Sequence, residues 1–262
     1  MRKLLLRITV LIYFLFSAVM YSQSNVSHEV GINFGVASFQ TDFGESGDFP
    51  SANASSFAYG ITHYLKFFGS QYSWRSGGGY FASHFKLKTE FNYSYNTNIE
   101  HEGIYVKNNL KLQAMTGEIK MYNIGTNLEF YFMELEDYAS FYGVENSLNP
   151  FISAGLHFTA YDPNIFVNGV SLEGLQEPYM ALIDKWQENS IFLDPSNTFG
   201  VSLGAGIRYS LQSVDLVLDG RWQHFFSDDV DGLNSLNDSA NKRNDTMIMV
   251  NLGIVYVFGK TD

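Results

Sequence analysis

The chain contains no cysteine, which removes disulfide staples, thiolate metal sites, cysteine nucleophiles and a lipidated N-terminal cysteine at once. Positive charge is also scarce. Sixteen Lys plus Arg stand against 27 Asp plus Glu, a formal charge of -11, so an electrostatic grip on nucleic acid is not expected. The only long apolar run, residues 8–20, falls short of the roughly 20 residues that a membrane-crossing helix needs. No HExxH pair occurs among the six histidines, so a zinc hydrolase of that type is excluded and no cofactor is expected.

Aromatics and glycine, in contrast, are plentiful: 23 Phe, 17 Tyr, 3 Trp and 23 Gly. Arg2, Lys3 and Arg7 precede the apolar run, and Tyr21, Ser22 and Gln23 follow it. That order predicts a cleaved secretory signal over residues 1–22 and one mature domain over 23–262. Removing those three basic residues takes the charge from -11 to about -14, which suits a solvated acidic surface.

The remainder alternates with period two, the mark of strands with two unlike faces. Residues 81–95 show it best: Phe81, Phe85, Leu87, Phe91, Tyr93 and Tyr95 share one face, and His84, Lys86, Lys88, Glu90 and Asn92 the other. Seven further segments behave alike, at 30–36, 57–67, 122–132, 152–160, 199–211, 214–226 and 248–258. An even set of eight fits either a soluble lipocalin-like barrel, apolar within, or a membrane barrel, apolar without. Three features favour the membrane. Glycines such as Gly31, Gly125, Gly155, Gly204 and Gly206 fall on the polar face, as a crowded lumen requires. Aromatics gather at strand ends, as interfacial girdles do, and the last strand ends on Tyr256 and Phe258. The expectation is an all-β, eight-stranded antiparallel outer-membrane β-barrel, monomeric and in contact with outer-membrane lipid. Its long links, 41–55, 97–117, 162–197 and 227–245, would be extracellular, and its other links periplasmic.

With the apolar face toward lipid, Lys86, Lys88, Glu90, Glu129, Arg208, Asp219 and Arg221 point into the lumen. A salt-bridged plug is the simplest outcome in so narrow a barrel, and a proton or ion path is the alternative. His224, Ser227 and Asp228 supply the residue types of a lipid-deacylating triad, although spacing along one strand end does not make one. The acidic stretch 228–232 invites weak calcium binding, yet the twelfth position from Asp229 is Ala240, so the EF-hand pattern fails and a solvated loop is the plainer reading. In 177–188, Pro178 can open a short helix with Tyr179, Leu182, Ile183 and Trp186 on one side. That face either docks a partner or lipid, or folds back over the barrel mouth.

Three stretches carry a resemblance: Asn149-Pro150-Phe151-Ile152-Ser153-Ala154-Gly155-Leu156, Gly200-Val201-Ser202-Leu203-Gly204-Ala205-Gly206-Ile207-Arg208-Tyr209, and Arg221-Trp222-Gln223-His224-Phe225-Phe226-Ser227-Asp228-Asp229-Val230. With the leader and the start His28-Glu29-Val30-Gly31, the chain resembles the small outer-membrane barrels of gliding-type bacteria, including the PorG-like barrel of type IX secretion. The resemblance implies a non-enzymatic scaffold or accessory subunit that meets a periplasmic ring of secretion or motility proteins. Under it, the links holding Tyr72 and Trp74, and Tyr138, become candidate contacts. A surface-facing binding or adhesion barrel is the alternative role, and a lipid-modifying enzyme a third.

Overall fold

The computed structural model describes residues 26–43, 53–67, 79–101, 103, 106–135, 147–175, 178–184, 186, 190–211, 213–235 and 244–258. Eight long strands form the barrel: β1 (Val26–Gln40), β2 (Asn53–Phe67), β3 (Phe85–Glu100), β4 (Met115–Tyr131), β5 (Ser147–Val167), β7 (Ser196–Ser210), β8 (Val214–Phe225) and β9 (Thr246–Val257). A two-residue strand, β6 (Val170–Ser171), merely folds back on β5. Each long strand pairs antiparallel with its neighbours, β1 with β9 and β4 with β5 included, so the sheet closes on itself. Within the closed ring each of the eight strands is paired on both sides.

Along the middle of each strand the large apolar side chains point outward. Ile32 is 56% exposed, Ile61 60% and Leu203 59%, while Asn33, Thr62 and Ser202, their neighbours along the strands, are buried. A water-soluble protein would not expose such a continuous apolar belt. Polar inside and apolar outside is the distribution of a barrel whose solvent is lipid.

Toward the side of the long links the alternation keeps its period and reverses its phase. On β4, Met115, Ile119 and Met121 turn inward and are buried while Thr116, Glu118 and Lys120 face out; on β5, Tyr161, Ile165 and Val167 turn in while Asp162 and Asn164 face out. Apolar inside and polar outside is the water-facing arrangement, so the reversal marks where the strands leave the membrane. A tilted strand spans hydrocarbon in about 9–11 residues, and the 21 residues of β5 exceed that by far.

Residue 81 was expected to begin a strand. It lies instead in a short helix, α1 (Tyr80–His84), that precedes β3. Its turn is set by Ala82 N–H donating to the Gly79 carbonyl at 2.8 Å, and its rings lie against the barrel's outer wall, Phe81 on Phe67 at 5.2 Å and on Phe85 at 4.6 Å. Aromatic contact with the wall satisfies Phe81 without strand pairing.

Candidate functional site

The lumen is filled by charge, arranged in tiers. At the turn side, the Glu29 carboxylate accepts from Lys86 Nζ at 2.6 Å and from the Arg208 guanidinium, whose Nε also donates to Asp215 Oδ2 at 2.7 Å. The Ser210 hydroxyl donates to the other Asp215 oxygen at 2.7 Å, and Tyr131 donates to Glu129 at 2.6 Å. Arg208 lies over the Tyr64 ring at 4.9 Å, so the guanidinium has an aromatic face as well as two carboxylates.

A middle tier joins Lys88 Nζ to Glu90 at 3.2 Å and to Asp219 at 3.5 Å, with Arg221 on the far side of Glu90. Asn127 donates to Glu90 at 3.0 Å. Above it the His157 ring meets Asn123 at 3.0 Å, Asn127 at 3.2 Å and Ser202 at 2.8 Å, and Asn123 continues to Gln223 at 2.8 Å. The ring lies where a side chain at Gly125 would stand, so glycine there makes room for the network.

The structure therefore gathers the expected residues into two contact sets, Lys86 and Arg208 in the first, with Glu129 tied in through Tyr131, and Lys88, Glu90, Asp219 and Arg221 in the second. Sequence reasoning missed Glu29, Asp215, Tyr131 and His157. Parity would have found them: Glu29 stands two residues before Gly31, and Asp215 two before Val217 and four before Asp219. Every one of these ionic groups is buried, Asp219 the least at 8% exposure, so no water-filled bore runs past them.

An apolar layer caps the network on the loop side. Phe39, Phe43, Ile99, Met115, Ile119, Ile165, Phe225, Met247 and Met249 form its body. Leu172, Leu182 and Trp186 descend onto it from the segment after β5, and Val230 and Leu233 from the segment after β8. Of the two outcomes open for this face, the structure shows the one in which it folds back over the barrel mouth, so Leu182, Ile183 and Trp186 are not the candidate partner contacts. Leu182 and Trp186 are each only 2% exposed, and Ile183 packs against the same core. The expected helix is also shorter, a 3-10 turn over Pro178–Ala181. Burying an indole and a leucine over the mouth removes more apolar surface from water than displaying them does. Tyr72, Trp74 and Tyr138, and the side chain of Tyr179, lie outside the described residues, as do residues 1–22.

Only the front of the 228–232 stretch is solvated, Asp228 and Asp229 being half-exposed. Val230 and Asp231 are fully buried, Asp231 accepting from Leu233 N–H at 2.8 Å and Asp245, also buried, from Val230 N–H at 2.9 Å. Burial, and then the neighbouring Asp42 carboxylate, push Asp231 well above the usual carboxylate range; burial and then Asp231 do the same for Asp245. Among the described residues no group of three or more His, Asp or Glu is arranged to hold a metal. The suggested triad is not assembled either. Ser227 donates to Asp229, whereas His224 lies in a row of rings between Trp222 at 5.8 Å and Phe226 at 6.2 Å.

No protein-family model and no curated protein sequence matches the chain. Among solved structures it is similar to Neisserial surface protein A, with a TM-score of 0.45 and 10% identity over 90% of this chain and 100% of that one. It is also similar to Ail, the attachment invasion locus protein of Yersinia pestis, solved with the heparin analogue sucrose octasulfate (TM-score 0.38, 11% identity, 90% of this chain and 100% of that one). A third is the outer membrane enzyme PagL, at 0.37 and 11% over 87% of this chain and 98% of that one. The architecture itself rests on the closed strand register described above.

Proposed function

We propose that this chain is an outer-membrane barrel that works through its rims, as a non-enzymatic scaffold or accessory subunit of an envelope assembly, with the long links outside the cell. The observation that carries this reading is the filled interior: a buried ionic network closed by an apolar cap leaves the surfaces as the places where work can be done. Type IX secretion or gliding is the assembly that the resemblance in residues 149–156, 200–209 and 221–230 implies. A cleaved signal over residues 1–22 would deliver the chain, and the links holding Tyr72, Trp74 and Tyr138 would face the periplasmic partner.

The reading is tested by tagging the protein, solubilising native membranes in mild detergent and identifying what stays bound after crosslinking. Stoichiometric secretion or motility components, crosslinked to the turn side, are the expected result. A barrel recovered alone across several detergents would overturn it.

A second reading, a barrel that binds partners outside the cell, is favoured by the built cap. Backbone bonds from Phe192 N–H to the Gly232 carbonyl and from Asn234 N–H to the Ser190 carbonyl, each at 2.9 Å, pin the two loop segments together. A fixed surface costs less ordering entropy on binding than a loose one.

A further inference from the structure

Between those two pinned segments and the turn that follows β6 opens a cavity of about 400 Å³ on the loop side. Leu172, Ile191, Phe192 and Leu193 give it apolar walls. Among the described residues its charged groups are Glu173, Asp194 and Asp229, and neither lysine nor arginine lines it. The walls are rigid for reasons that can be named. Ile191 bridges to Leu233, and both Ile191 and Leu193 pack on the capping core. Gly232 has a φ of +86°, and a side chain there would come within 3.2 Å of Pro163 and 3.3 Å of Leu193, so the chain turns in the one way that lets the segments touch. Asp229 is held by the Tyr161 hydroxyl at 2.8 Å and by Ser227. Asp194 and Glu173 are exposed at the rim, and Phe192 is 37% exposed.

We propose that this cavity binds a basic segment of a protein outside the membrane, seating one arginine side chain and an adjoining apolar residue. Charge complementarity selects the occupant. Three carboxylates around an apolar floor repel anions, and the absence of a metal-competent donor set among the described residues leaves an organic cation. Guanidinium suits the site better than ammonium, because it stacks on an aromatic face such as Phe192 while its edges pair with carboxylates. The proposal rests on the second reading, in which the outer face carries the contact.

The test uses the full barrel in lipid nanodiscs and the peptide amide acetyl-Phe-Arg-Leu, with acetyl-Phe-Glu-Leu as the control. Binding below about 1 mM is expected for the arginine peptide alone, weakened at least about tenfold in Asp194→Asn/Glu173→Gln and in Phe192→Ala, and unchanged in Glu118→Gln, an outward carboxylate of β4 away from the cavity. Equal binding of the acidic peptide, indifference to the paired substitution, or no binding up to about 10 mM would overturn it. Native partners crosslinked only on the turn side would defeat the outward-facing reading whatever the peptide does. Partners on the loop side together with a peptide that ignores the cavity would defeat this proposal alone.

Discussion

Two buried sets of carboxylates in this barrel are handled in opposite ways. In the lumen, Glu29, Asp215, Glu90 and Asp219 each meet a lysine or arginine. Beneath the loop-side cap, Asp231 and Asp245 are equally buried, make no ion pair among the described residues, and have other carboxylates as their charged neighbours. Removing a carboxylate from water is costly unless it is paired, hydrogen-bonded or protonated. The lumen, surrounded by lipid, uses pairing. The cap uses backbone N–H donors, and burial beside other carboxylates pushes its two aspartates toward the protonated form, which makes the cap responsive to pH.

The sharpest way to break the luminal half is Arg208→Ala, which strands Asp215 and leaves Glu29 with Lys86 alone. A loss of about 3–5 kcal/mol is expected in urea unfolding of the liposome-inserted protein. Next comes Leu252→Arg on the outward face of β9, expected to cost about 2–4 kcal/mol in the same assay if that face meets hydrocarbon; a neutral result would remove the lipid-facing assignment. Gly125→Ala forces a methyl against His157 and should cost about 1–3 kcal/mol, with the cap's hydrogen-exchange protection unchanged.

The pH prediction addresses the cap. Asp231 and Asp245 are raised above their unfolded values, so the folded cap holds more protons than the unfolded chain. Their contribution is fully present below the ordinary aspartate range of about 4 and is lost as pH rises toward the folded-state values, by up to about 1.4 kcal/mol per pH unit for each group. Amide exchange at Val230 and Leu233, corrected for intrinsic rates, should therefore quicken as pH rises above about 4, and Asp231→Asn should flatten the dependence.

Much of the barrel was legible from alternation. The eight segments, the inward direction of Lys86, Lys88, Glu90, Arg208, Asp219 and Arg221, and the glycines beside them all follow from period two with one apolar phase. What escaped was the continuation of the strands beyond lipid. Residues 115–121 and 161–167 keep the period and reverse the phase, so a search for outward apolar residues stopped near Tyr122 and Ala160. The place of Leu182 and Trp186 stayed open between two outcomes for a related reason: an apolar side of a loop segment looks the same whether it awaits a partner or covers the chain's own core.

By itself, then, the sequence determined which side chains share a face, because strand geometry sends alternate residues to opposite sides whatever lies beyond. Only closure decided who meets whom. Glu29 and Arg208 are 179 residues apart, and no local pattern pairs them. They touch because β1 closes against β9, β8 and β7 follow in turn, and the fixed register of those strands sets both side chains at one level of a narrow lumen. The same closure left a mouth of buried apolar side chains that the loops had to cover, and covering it placed Asp231 and Asp245 where water could not solvate them.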